Sequence, residues 1–167
     1  MHIIDKTFIR APKNYIVQSL LAVVAMVIII YFVEVITHAA IVAAIGSSAF
    51  IVFAMPRSIT AQPRRLIGGH VVGLLCGTFC HYVFLAGPIG KMIAGGELAT
   101  MFVYALAVGL AIFLMAITNT EHPPAAGTAL GIVAHVWYHQ VVIFIVLSAV
   151  SLAIIRRLLR GYLKDLF

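Results

Sequence analysis

The residues with the greatest capacity for chemistry lie together in Ile117 to Gly131, ITNTEHPPAAGTALG, a polar, proline-broken stretch between two strongly apolar ones. Thr118, Asn119, Thr120, Glu121 and His122 follow one another without a gap. Hydroxyl, amide and imidazole groups in that density suit the binding of a small polar or anionic species, and a histidine changes charge near neutral pH. Pro123 and Pro124 cannot continue a helix from upstream but suit the first turn of a new one, so a helix is predicted to start there and run on through Ala125 and Ala126. A helix start carries N–H groups without intrahelical partners, which attract anions.

A second break, PRSITAQPRR, has the same character. Phe53, Met55, Thr60 and Pro63 each recur 60 residues later as Phe113, Met115, Thr120 and Pro123, a weak internal repeat. Paired interrupted segments in corresponding positions are a pointer to a transporter's binding site. The expected site is therefore shared by the helix starts at Pro123 and Pro63. Backbone donors would hold an anion, His122 and Gln62 would close the site from the sides, and Thr118, Asn119 and Thr120 would add hydrogen bonds. Gly127 and Thr128 would let a partner helix come close, and Arg64 with Arg65 would draw anions into a vestibule. No intramembrane arginine cluster is present to neutralise multiple charge, so a compact monovalent anion fits better than a phosphate. Each of these residues also has a structural reading. His122 suits a turn, the threonines and Asn119 suit helix caps, and the arginines suit a cytoplasmic membrane flank. Glu121 would repel an anion unless it points to water or pairs with one of those arginines.

Other candidates carry less. Cys76 and Cys80 lie one helical turn apart in an apolar run and read as small packing residues. Glu34 with His38, and His135 with His139, are i,i+4 pairs that read as interfacial residues; a metal site generally needs three or more protein ligands, so no metal or cofactor is expected. The chain lacks HExxH, GxSxG and paired intramembrane carboxylates, so it is not expected to be an enzyme.

The elements that must position the break are membrane helices. The 167 residues are 63% hydrophobic and 10% charged, with a mean hydropathy of +1.14, outside the range of an ordinary soluble domain. The net charge of +6 does not indicate nucleic acid, because the bases sit at the ends of apolar runs. The runs are Tyr15 to Val33, Ala39 to Met55 with Gly46, Ser47 and Ser48 near its middle, Leu66 to Leu85, Leu98 to Ile117, Pro123 to Val136 and Val141 to Ile155. Residues 1–14 form a polar, basic flank with no apparent cleavable signal, and 156–167 form a second basic flank. The fold class is an all-α, polytopic transmembrane helical bundle of four to six membrane segments with proline-broken polar loops, one domain over residues 1–167. With six crossings and a cytoplasmic N-terminus, ten of the eleven Lys and Arg residues fall on the cytoplasmic side, Lys91 alone being outside. That count favours a short or tilted crossing for Pro123 to Val136 over a re-entrant loop. Trp137, Tyr138 and His139 read as an interfacial belt. Gly69, Gly73 and Gly77 recur every fourth residue and form a close-packing stripe, expected to hold a second copy of the chain.

The sequence GSSAFIVFAMP, then AQPRRLIGGH, then TNTEHPPAAGTALG resembles the HPP family of integral membrane proteins, named after that tripeptide. The resemblance covers about Gly46 to Val136. It implies a membrane domain, usually described with four transmembrane helices, and a small-anion carrier or channel, since plastid and cyanobacterial members are associated with nitrite. The reading is a transporter or channel for a small inorganic anion, nitrite first, in the inner membrane of a bacterium with both termini cytoplasmic. The alternative is a structural or regulatory membrane subunit that transports nothing.

Overall fold

The computed structural model describes residues 12–14, 16–18, 20–21, 39–93, 96–135 and 139–166. Most of the expected first span, the Glu34 and His38 pair, and Trp137 with Tyr138 lie outside the described residues. The described chain runs through α1 (Ala39–Ala54), a 3-10 turn (Ile59–Ala61), α2 (Pro63–Cys80) extended by a π turn (His81–Leu85), α3 (Pro88–Ile93), α4 (Glu97–Thr118), α5 (Pro124–Ala134) and α6 (His139–Leu158). No strand occurs among the described residues.

Three stretches, Pro63–Leu85, Leu98–Thr118 and His139–Leu158, are long and apolar enough to cross a membrane, while α1 and α5 are shorter apolar helices. Large apolar side chains point outward, Leu98, Phe102, Phe113 and Ile117 on α4 among them. The interior holds apolar side chains such as Phe144, Ile45, Leu66 and Leu152 together with small and polar residues, including Ala125, Ala129, Ser48, His70, His122 and Thr128. This arrangement suits lipid, where oil outside costs nothing and helices associate by close packing and hydrogen bonding.

Local chemistry sets the helix boundaries. Pro63 and Pro124 occupy first-turn positions of α2 and α5, where the missing N–H is no loss. α4 stops at Asn119, whose φ of 54° puts it in the left-handed region, tolerated by Asn because its short polar side chain can hydrogen-bond locally. The N–H groups of Asn119 and Thr120 both reach back to the Met115 carbonyl.

The two proline-broken loops share one end of the bundle. Arg64 Nη2 donates to the Thr118 carbonyl at 3.2 Å, joining the start of α2 to the end of α4. Arg156 Nε near the end of α6 donates to Pro56 O at 2.9 Å, and the backbone N–H of Leu166 donates to Ala54 O at 2.9 Å. Gln18 is tied to the same end, donating to Phe53 O and to Lys164 O and accepting from the Lys164 N–H. α5 therefore leaves this end and α6 returns to it, as the charge count requires. At 11 residues, α5 covers roughly 16 Å, about half of a hydrocarbon core of about 30 Å. The two loop-and-helix units run in the same direction, which makes the weak repeat a parallel one.

The glycine stripe does not face outward, which corrects the expected assembly face. A Cβ on Gly69 would lie 2.7 Å from His122 Cβ, and one on Gly77 would lie 2.7 Å from the Ala129 carbonyl oxygen. A Cβ on Gly73 would collide with the Ala125 carbonyl and press on Thr128. The partner of the stripe is thus α5 of the same chain. On its other side, Gly127 of α5 faces Ala44 and Gly131 faces Ile41, both on α1. A short helix lined with small residues is thereby clamped between two neighbours, and backbones this close bring short polar side chains into mutual reach.

Candidate functional site

Where α1, α2 and the start of α5 meet, four polar side chains form one buried chain. Ser48, His70, His122 and Thr128 are each no more than 1% exposed. Ser48 Oγ is 2.9 Å from His70 Nε2 and 2.9 Å from His122 Nε2. His70 Nδ1 is 2.8 Å from Thr128 Oγ1, and His122 Nδ1 is 2.9 Å from the Thr60 carbonyl. The two imidazole centroids are 5.2 Å apart and tilted by 58°. Each element has a sequence reason to be there. Ser48 belongs to the small polar triplet of α1, His70 follows Gly68 and Gly69 in the first half of α2, and Thr128 lies one turn after Pro124.

The proton positions follow from what each atom is able to do. A carbonyl only accepts, so His122 must carry its proton on Nδ1 to bond Thr60. In the neutral ring Nε2 is then an acceptor, and the Ser48 hydroxyl must donate to it. Ser48 has one proton to give, so His70 must donate from Nε2 to Ser48 Oγ. His70 Nδ1 is left as an acceptor and takes the Thr128 hydroxyl proton. The chain runs in one direction, Thr128 to His70 to Ser48 to His122 to Thr60, with no clash and no unpaired ring nitrogen. Burial holds the His122 imidazole below the ordinary histidine range, opposed by the bond to Thr60, which favours the protonated ring.

The other expected residues sit on a rim around this core. Arg65 and Glu121 form an ion pair, which neutralises the carboxylate that would otherwise repel an anion. Arg64 is exposed and reaches Thr118 O. The Thr118 and Thr120 hydroxyls are 2.8 Å apart, and Thr118 Oγ1 also donates to Leu114 O at 2.7 Å. Asn119 serves as the left-handed cap, Gln62 is exposed and makes no side-chain cap bond to α2, and Pro123 is exposed while Pro124 is buried. The structure thus joins His122 and Thr128 in the core and leaves Thr118, Asn119, Thr120, Gln62 and Arg64 at the rim. Gly127 spaces α5 from α1.

At the start of α5 the expected backbone donors are already spent. Pro123 and Pro124 have no N–H, the Ala125 N–H donates to His122 O at 2.9 Å and the Ala126 N–H to Pro123 O at 3.1 Å. At α2, the N–H groups of Arg65 and Leu66 both go to Gln62 O. Double proline fixes the turn by removing the donors that would have made the helix start an anion site. No group of three or more His, Cys, Asp or Glu close enough to hold a metal occurs among the described residues.

Ser48 and His70 did not emerge as site residues from sequence. Their signal was present, a serine in a helix of aliphatic residues and a histidine within a span, but neither lies in a proline break.

A lipid-facing helical bundle with a polar seam at its centre defines an integral membrane domain. The family described as HPP, transmembrane region, matches residues 9–163, and the chain belongs to it. A transmembrane protein of Dictyostelium discoideum is 37% identical over 94 residues, covering 54% of this chain and 28% of that protein. A second transmembrane protein of the same organism is 35% identical over 85 residues, covering 51% of this chain and 24% of the relative. The matched segment is about a quarter of each relative's length. No solved structure matches the chain.

Proposed function

We propose that this chain lies in the inner membrane of a bacterium, with its proline loops and both termini on the cytoplasmic side, and transports a small inorganic monovalent anion, with nitrite the first substrate to test. The observation that carries the reading is the seam of Ser48, His70, His122 and Thr128 buried at the centre of the bundle. Polar and ionisable groups at membrane depth are expensive and mark substrate or proton pathways. An anion approaching the loop end meets Arg64 and the Thr118 and Thr120 hydroxyls, four and two residues before His122 in the chain. The Arg64 guanidinium, with five N–H donors, takes the role that the spent backbone N–H groups of α5 cannot. The charge of Arg65 is matched by Glu121, which leaves room for one anionic charge rather than several.

The test is flux into liposomes containing the purified chain, across a panel of nitrite, nitrate, chloride and formate, corrected for empty vesicles. His122→Ala is expected to reduce flux more than Arg64→Ala, whose effect should shrink as ionic strength rises and screening takes over. Absence of flux for every anion in the panel, or a His122→Ala variant that conducts like the parent, would refute the proposal.

A further inference from the structure

The buried chain has two complete hydrogen-bonding arrangements that differ by one proton. In the neutral arrangement the Ser48 hydroxyl donates to His122 Nε2, as derived above. Ser48 Oγ is also 2.9 Å from the Ala44 carbonyl one turn earlier on α1. If a proton adds to the lone pair of His122 Nε2, that nitrogen becomes a donor to Ser48 Oγ, and the serine hydroxyl turns to donate to Ala44 O. Ser48 then accepts from both histidines with its two lone pairs, His122 still donates from Nδ1 to Thr60, and the bond between His70 and Thr128 is untouched. No heavy atom has to move and no donor or acceptor is stranded. One N–H bond forms, and the only other change is the rotation of one hydroxyl.

The geometry points to the Ser48-bridged pair as a binding site for a single proton, taken up by His122 and registered by the Ser48 hydroxyl. His70 is not equivalent to it. The remaining nitrogen of His70 accepts from Thr128 Oγ1, so a second proton there would turn the Thr128 hydroxyl away from its one hydrogen-bond partner among the described residues, with no carbonyl among them to receive it as Ala44 O receives that of Ser48.

The charged and titratable groups facing His122 are few. α2 brings His70, and at the rim Arg64 and Arg65; the turn itself brings Glu121, which Arg65 already pairs. The described residues of α1, the 3-10 turn and α5 contribute no charged or titratable side chain there, and the only carboxylate of α4, Glu97, begins that helix at the far end. A protonated His122 therefore lacks a free counter-charge of its own, and an arriving monovalent anion would supply one. Resting on the transport reading, proton and anion then bind with mutual favour, since coupling between two ligands is reciprocal, and the pair crosses without net charge.

The experiment uses the full chain labelled with 15N-histidine in lipid nanodiscs and follows the ring nitrogens from pH 8 to pH 4, with His70→Gln and His122→Gln assigning the signals. At pH 8 the two rings are expected in opposite tautomers, His122 protonated at Nδ1 and His70 at Nε2. On acidification His122 alone becomes an imidazolium, and sodium nitrite raises its midpoint relative to sodium gluconate. Ser48→Ala removes the acceptor of the new N–H and should lower that midpoint by about one pH unit or more, because a bond to a charged donor is lost. Ser48→Thr, which keeps the hydroxyl, should restore it. Identical tautomers at pH 8, protonation of both rings together, or neutral rings throughout while the helical circular dichroism is unchanged would each overturn the inference. Liposome flux with a trapped pH indicator separates the two readings. Nitrite movement without proton uptake refutes the coupling and leaves transport standing, whereas a normal titration with no anion flux refutes transport and leaves the proton site.

Discussion

Gly77→Ala probes the seam between α2 and α5 far from the buried histidines. The added Cβ would sit 2.7 Å from the Ala129 carbonyl oxygen, 2.8 Å from Ile132 Cβ and 3.0 Å from Ile132 Cγ2. Ordinary van der Waals contact begins at 3.4 Å, so the closest approach is short by 0.7 Å, against a backbone atom that cannot swing aside. Relief requires α2 and α5 to separate locally. Overpacking of this kind costs typically about 1–3 kcal/mol, and contact with three atoms places it near the top of that range. Replacing glycine by alanine within a helix returns about 1 kcal/mol, leaving a net loss of about 2 kcal/mol. Gly109→Ala on α4 is the control, because nothing lies within 4 Å of its Cβ position and only the helix-propensity gain remains. The pair of variants should therefore differ by about 3 kcal/mol in the same host. Reversible unfolding in mixed detergent micelles, followed by circular dichroism, measures the difference, and light scattering of the solubilised protein should show no change in mass for Gly77→Ala. Equal stabilities of the two variants would refute the packing of the stripe against α5, and loss of an oligomer in Gly77→Ala without loss of stability would return the stripe to an intermolecular role.

Thr128→Val keeps the shape of the side chain but removes the donor to His70 Nδ1; leaving that buried nitrogen unpaired should lower unfolding free energy by about 1–3 kcal/mol, readable in the same assay, and an unchanged stability would deny the bond. Because burial depresses the folded-state pKa of His122, the unfolded chain binds the proton more readily, so its contribution to stability is present above the unfolded histidine value of about 6.5 and is lost as pH falls below it. The thermal midpoint of the parent should fall between pH 8 and pH 5, less so in His122→Gln; a parallel fall in both would remove His122 as the cause. Single cysteines at Ser58 and Arg160, in a background with Cys76 and Cys80 replaced, should resist a membrane-impermeant thiol reagent added outside, while one at Lys91 should react; outside labelling at 160 would place the end of α6 on the wrong face.

What was legible in the sequence was set by one-dimensional signals. Hydropathy and length located α2, α4 and α6 almost to their ends, and the prolines at 63 and 124 fixed two helix starts because proline acts on its own backbone. The basic flanks implied that both loops lie at one end, which the bonds from Arg64 to Thr118 and from Arg156 to Pro56 bear out. The glycine stripe was visible as a contact surface, but a stripe does not say which helix fills it; α5, expected as a short or tilted crossing, is the one that does, and its brevity and small side chains are what allow it to fit there. The same limit hid the site. Helix starts attract anions as a rule, yet whether their N–H groups are free depends on how tightly the first turn closes, and here two prolines and the carbonyls of His122 and Pro123 use them up. His122 stood out because it lies in the break, whereas Ser48 and His70 lie 22 residues apart on separate helices, with His122 74 residues from Ser48. Their meeting depends on Gly69 lacking a side chain where His122 descends. A glycine followed by a histidine in one span, and a serine in the shorter helix before it, are therefore informative only as a set, because the absent Cβ makes the space in which the two rings share one hydroxyl.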